Sequence, residues 1–164
     1  MGRRLAAFLV LVLGGCTAVG DLMPGRSDLA DVERTMGAPA LSWRDGQGRT
    51  YLAYPRGPMG YQTWMVLLDP TGRLERIENA LDEHHFALIK PGMTQEQVLH
   101  AIGPSYAPWT VYYPARDELA WEWRYCDVWQ EASRFDVLFD GTRKTVRSTL
   151  SLPELCGRVG NCSC

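Results

Sequence analysis

Lysine is almost missing from this 164-residue chain: Lys90 and Lys144 are the only two, and arginine supplies the rest of the positive charge. No basic patch stands out along the sequence and the formal net charge is −2, so nucleic acid is not an expected partner. No CxxC pair occurs, which leaves the usual zinc-ligand spacing unmet, and no metal site is expected. The chain also lacks a Gly-x-Ser-x-Gly elbow, a phosphate-cradling glycine loop and a His-Glu-x-x-His pair. With no catalytic constellation present, the expectation is a protein that is not an enzyme and carries no cofactor. Long apolar runs are absent too. The run from Leu5 to Leu13 would cover roughly 14 Å as a helix, against a hydrocarbon core of about 30 Å.

What that run can do is direct secretion. Arg3 and Arg4 precede it and Gly14-Gly15-Cys16-Thr17 follows, the order of a signal peptide's basic, apolar and small-residue regions. Leu13-Gly14-Gly15-Cys16 resembles the bacterial lipobox, in which the cysteine thiol takes a diacylglyceryl group and becomes the new N-terminus. The plainer alternative is an ordinary signal with a chance cysteine. Several acyl chains on one residue anchor lastingly, whereas one chain binds only marginally. Residues 1–15 are therefore expected to be removed and residues 16–23 to act as a lipidated tether. The 149 residues left carry a net charge of −4, because Arg3 and Arg4 go with the signal.

Four further cysteines remain: Cys126, Cys156, Cys162 and Cys164. In an oxidising envelope they read as up to two disulfides, with three connectivities open. A metal cluster in the tail and free thiols are the rival readings. A bridge from Cys126 to the tail would pin the last strands to the C-terminus, but sequence does not fix the pairing.

A repeat with a 66-residue offset organises the rest. In the clearer copy, Thr94 and Gln97 form a capping box, with Met93 and Val98 at the flanking staple positions. Val98, Leu99 and Ile102 make a short apolar stripe, and Gly103-Pro104 ends the helix. In the weaker copy Asp28, Val32, Met36, Gly37 and Trp43 match Thr94, Val98, Ile102, Gly103 and Trp109. There Asp31 replaces the capping-box glutamine, and Ser27 sits at the staple position. Residues 82–89 read as one more short helix. Strands follow each copy, at Leu41 to Arg44, Thr50 to Tyr54, Trp64 to Leu68, Trp109 to Tyr113, Leu119 to Tyr125 and Phe135 to Phe139. Asp69 and Asp140 are most simply turn residues accepting backbone N–H groups. The expected fold class is α+β, with two tandem helix–antiparallel-sheet units at 24–82 and 83–150. Short helices would lie on one face of the sheet, with a cysteine-bearing tail at 151–164.

Pro91-Gly92-Met93-Thr94, Gln97-Val98 and Ile102-Gly103-Pro104, followed by Val137-x-Phe139-Asp140-Gly141-Thr142, resemble the SmpA/OmlA (BamE-like) family of small outer-membrane lipoproteins. The motif resemblance covers residues 90–146 well and 24–79 more loosely. Two units in tandem are also similar to the β-lactamase inhibitor protein fold. The resemblance implies a protein-binding scaffold on the periplasmic face of the outer membrane, acting in assembly or maintenance of that membrane. Thr17 after the lipid cysteine agrees with outer-membrane sorting, since an aspartate there tends to retain enterobacterial lipoproteins at the inner membrane.

Trp121, Trp123 and Tyr125 alternate along one strand and so share a sheet face, while Glu122 and Arg124 share the other. The aromatics either pack as core or present a partner-binding surface, extended by Trp109, Tyr113, Tyr54 and Trp64. His84 and His85 are adjacent on a helix, point about 100° apart and so do not converge on one ion. His100 reads as a surface residue. The functional expectation is a lipid-anchored envelope protein acting as a non-catalytic scaffold for a protein partner. The alternative is a periplasmic ligand- or cell-wall-binding lipoprotein that stacks its ligand on the aromatic face.

Overall fold

The structure, a computed structural model, describes residues 19–156 and 162–164. Cys16, the signal at 1–15 and the start of the tether lie outside the described residues. The element order is α1 (Leu29–Met36), β1 (Leu41–Arg44), β2 (Thr50–Pro55), β3 (Thr63–Leu68), β4 (Leu74–Asn79), α2 (Glu83–Phe86), α3 (Gln95–Ile102), β5 (Val111–Tyr113), β6 (Glu118–Cys126), β7 (Ala132–Asp140) and β8 (Val146–Pro153). Two four-stranded antiparallel sheets, β1–β4 and β5–β8, each run in simple meander order.

This corrects the expected α+β arrangement of two helix–sheet units with helices laid over one sheet face. Its regular structure is mostly the two four-stranded sheets, and its helices are too few and short to make a layer. Capping boxes make a helix start conspicuous in sequence but say nothing about its bulk. The two longest helices have eight residues, about two turns, while β6 and β7 have nine residues each. The expected strand from Trp109 also shrinks. Ala107–Trp109 is a 3-10 turn held by Pro108, and the strand begins at Val111.

The repeat persists in backbone detail. Gly25 N–H donates to Leu74 O and Leu74 N–H to Ser27 O, both at 2.8 Å; Gly92 and Val146, then Val146 and Met93, repeat the pair at 2.8 Å. Each helix start is thereby stitched to the fourth strand of its own sheet. Both helices carry a capping box, including Asp28–Asp31 in the copy expected to lack one. Asp31 can fill the role because its carboxylate reaches back to the Asp28 N–H at 3.2 Å. Asp69 and Asp140 are turn residues: Asp69 Oδ1 accepts from the N–H groups of Thr71 and Arg73, and Asp140 Oδ1 from those of Thr142 and Arg143.

Two cores follow from strand alternation. Val32 of α1 is buried with Leu52, Tyr54, Val66, Leu68 and Leu74 on one face of the first sheet. Val98 and Ile102 of α3 are buried with Trp123, Tyr125, Phe135, Val137 and Phe139 of the second. The other side of α3 meets the first sheet, where His100 stacks on Trp43 with ring centroids 4.2 Å apart. His100 is thus at the surface on one side, its side chain 34% exposed, and packed on Trp43 on the other. Gly103 closes this junction. Its φ of +72° suits glycine, and a Cβ there would come within 2.6 Å of Thr63 Cγ2.

Candidate functional site

Of the five aromatics expected to form one binding face, Trp123 and Tyr125 are core, each only 3% exposed. Trp121 is part-buried, with its ring 4.7 Å from that of Phe139. Between core and binding surface, this strand face is core, because α2 and α3 cover it. Tyr113 is exposed on β5 beneath the Arg116 guanidinium, and Trp109 lies over the opposite face of the second sheet. The structure therefore does not bring the five together.

All four cysteines outside the N-terminal segment are bridged, Cys126 to Cys164 and Cys156 to Cys162, with Cα atoms 5.9 and 5.1 Å apart. The first bridge ties the end of β6 to the tail. Ala132 N–H donates to Cys162 O, and Cys164 N–H to Gln130 O at 3.0 Å, so the tail adds a short rung beside the β6–β7 turn.

The richest polar arrangement lies on the outer face of the second sheet. Alternation puts Glu122 and Arg124 of β6 and Arg134 and Asp136 of β7 there, with Arg124 opposite Arg134 and Glu122 opposite Asp136. Two arginines side by side need an acid, and the tail supplies it. Glu154 accepts from Arg124 Nε at 2.8 Å and from Arg134 Nε at 2.9 Å, while Arg134 also pairs with Glu122. Each guanidinium lies over an aromatic ring: Arg134 is 4.5 Å from the Trp109 centroid and Arg124 is 4.4 Å from that of Tyr61. Tyr61 comes from the β2–β3 loop, so this network also joins the two sheets. Beside it runs an open trough of about 670 Å³, walled by Pro58, Met59, Trp109, Leu152 and Leu155 over Arg124, Arg134 and Glu154.

Chemically the network is saturated. The arginines already hold carboxylates, which leaves shape and apolar contact as the trough's means of recognition. The alternation of Glu122 with Arg124 was legible in the sequence. Glu154 and Tyr61 were not, because they arrive from a tail and a distant loop.

Asp136 is the perturbed group. Half-burial, then the negative charge of Glu122 beside it and their hydrogen bond, raise its pKa to about 6. The folded chain therefore holds a proton between about pH 4 and 6 that the unfolded chain has released, so this group's contribution to stability falls as pH rises through that window. Asp136→Asn removes the penalty. We expect its melting temperature to exceed the parent's by more at pH 8 than at pH 4. An equal difference at both pH values, read by thermal melts, would contradict this assignment.

Among the described residues no group of three or more His, Cys, Asp or Glu side chains could hold a metal ion. His85 is occupied instead by Asp82, 2.7 Å from its Nδ1. No helix among them is long and apolar enough to cross a membrane. No protein-family model, curated protein or solved structure matches the chain.

Proposed function

We propose that this chain is a lipid-anchored envelope protein, held at the periplasmic face of the outer membrane through Cys16, that works as a non-catalytic scaffold for a protein partner. The observation that carries the reading is the cysteine pairing. Four of five cysteines close two bridges, as an oxidising compartment favours, and the fifth is Cys16, at the end of the lipobox. From the SmpA/OmlA resemblance the reading keeps the location and the mode of action, but not the helix–sheet fold. Action by contact agrees with a second sheet whose charged face is already neutralised from within and whose trough is open and apolar-walled. Trp123 and Tyr125 are core and Trp121 is part-buried, so neither a stacked ligand nor a protein partner is placed on that strand face, and the scaffold reading looks to the trough instead.

The test starts at the anchor. Mass spectrometry of the processed N-terminus should find a cysteine carrying diacylglyceryl, and Cys16→Ser should move the chain from the membrane to the soluble fraction. Full membrane retention of Cys16→Ser after a detergent-free wash would sink the reading. Affinity purification from solubilised membranes should then bring down a protein partner with the parent chain.

A further inference from the structure

From Val19 onward the chain is fastened to the first sheet. Leu22 is 8% exposed and lies in the core with Val32, Leu68 and Leu74, and its N–H donates to Val19 O at 3.2 Å. The stretch after it is stitched to one end of that sheet. Met23 N–H donates to Ser27 Oγ at 3.0 Å, Gly25 and Ser27 both bond Leu74, and Asp28 pairs with Arg73. Arg73 and Leu74 leave the β3–β4 turn. The β1–β2 turn at 45–49 lies beside it, since a Cβ on Gly48 would stand 3.6 Å from Pro70. Residues 22–28 therefore sit with both turns at one end of the first sheet. The other end is a strand length away, about 17 Å along the six residues of β3. It carries the β2–β3 loop, whose Tyr61 lies under Arg124 and whose Pro58 and Met59 wall the trough.

Only Thr17 and Ala18 stand between Cys16 and Val19, and three peptide steps reach at most about 11 Å. That is little more than the headgroup layer of one leaflet, about 5–8 Å deep. A lipid on Cys16 thus leaves the fold no room to stand clear of the membrane, and the part nearest the anchor has to meet headgroups. The turn end suits them. Met23 is 52% exposed. Arg26 and Arg73 are exposed, Arg73 donates to the Arg26 carbonyl at 3.3 Å, and among the described residues neither is paired with a carboxylate. The neighbouring acids are drawn inward: Asp45 and Asp69 accept N–H groups of their own turns, and Asp28 caps α1. Asp21 and Glu75 stay exposed, so this end carries no large net charge and its arginines act singly. A guanidinium needs no more than that, because its fork of donors fits the phosphate that every phospholipid carries.

Resting on the reading of Cys16 as a lipid site, we propose that the turn end of the first sheet is seated on the phospholipid headgroups, with Arg26 and Arg73 against phosphate. The trough then lies a strand length or more from the membrane. The short tether sets which end goes down, and the two arginines set the tilt that brings the 69–73 turn to the surface. A protein held in the trough is met from the aqueous side, clear of lipid.

The experiment takes the lipidated chain purified from membranes and places it in phospholipid nanodiscs containing a gadolinium-chelate headgroup lipid. Its amide signals are then read by NMR. Those of Met23, Arg26, Gly72 and Arg73 should be lost, while those of Met59, Trp109 and Leu155 persist. In the double variant Arg26→Glu, Arg73→Glu the Gly72 signal should return, with Met23, close to the anchor, still lost. Both side chains are exposed, and unchanged amide positions elsewhere show that the fold is intact. Signals lost evenly over both ends, or first at Met59 and Leu155, overturn the proposal, as does a double variant whose Gly72 signal stays lost. Those results leave the anchor standing, because the chain is on the disc. A chain that carries no lipid and does not join the nanodiscs overturns the anchor itself, and this orientation with it.

Discussion

Trp123→Ala is expected to cost about 3–5 kcal/mol of folding stability, the range for emptying a buried aromatic site. The indole is 3% exposed and packs among Val98, Ile102, Phe135 and Phe139, so neighbours already in contact have little room to collapse into the space. Its Nε1 donates to the Gly103 carbonyl at 3.2 Å, and truncation leaves that buried oxygen without its partner. Because Gly103 also abuts Thr63 of the first sheet, the loss should loosen the junction between sheets and not only one core. At roughly 2–4 °C per kcal/mol for a domain of this size, the melting temperature should fall by about 10 °C. Trp129 is the control: it is 77% exposed, and Trp129→Ala should shift stability by no more than about 0.5 kcal/mol. Denaturant unfolding of both variants checks the contrast, and equal losses would mean that the indole of Trp123 is not held as described.

Opening the Cys126–Cys164 bridge has the second large effect. It spans a sequence separation of 38, and loop-closure entropy puts its contribution at about 4 kcal/mol. Cys156–Cys162 spans a separation of 6, for about 2 kcal/mol on the same relation. The paired serine variant Cys126→Ser, Cys164→Ser should therefore melt well below Cys156→Ser, Cys162→Ser. The ordering has a structural side as well. The longer bridge holds the tail rung against Gln130, Glu131 and Ala132, and the chain leading to it carries Glu154 to Arg124 and Arg134. Thermal melts of the two variants under identical buffer decide the matter; a reversed order would show that strain or residual unfolded-state structure outweighs loop length.

Much of the local structure was legible because its causes are local. Thr94 with Gln97 caps α3 through its own neighbours, and Asp69 and Asp140 bend their turns through N–H groups within a few residues. The alternation in Trp121-Glu122-Trp123-Arg124-Tyr125 separated two sheet faces correctly. Asp28–Asp31 was missed as a capping box because aspartate is shorter than glutamine, yet it still reaches. The match of Trp43 to Trp109 did not survive either: one lies in a strand and the other in a proline-set 3-10 turn.

The charged face of the second sheet shows where legibility ended. Arg124 and Arg134 were readable as neighbours only once β6 and β7 were paired, and their shared acid comes from residue 154, 20 and 30 positions away. Likewise nothing near Asp136 in sequence announces a raised pKa; the causes are its burial in the folded sheet and then Glu122, directly across the ladder.

By itself, then, the amino-acid order determined caps, turns, strand faces and the repeat, since each depends on dihedral preference, side-chain reach or a period of two or 3.6 residues. Only the tertiary structure decided that strands outweigh helices, that the aromatic face is core, and that Cys126 joins Cys164. Those outcomes depend on which surfaces meet, and burial, pairing and charge neutralisation are set by contacts between residues that the chain keeps far apart.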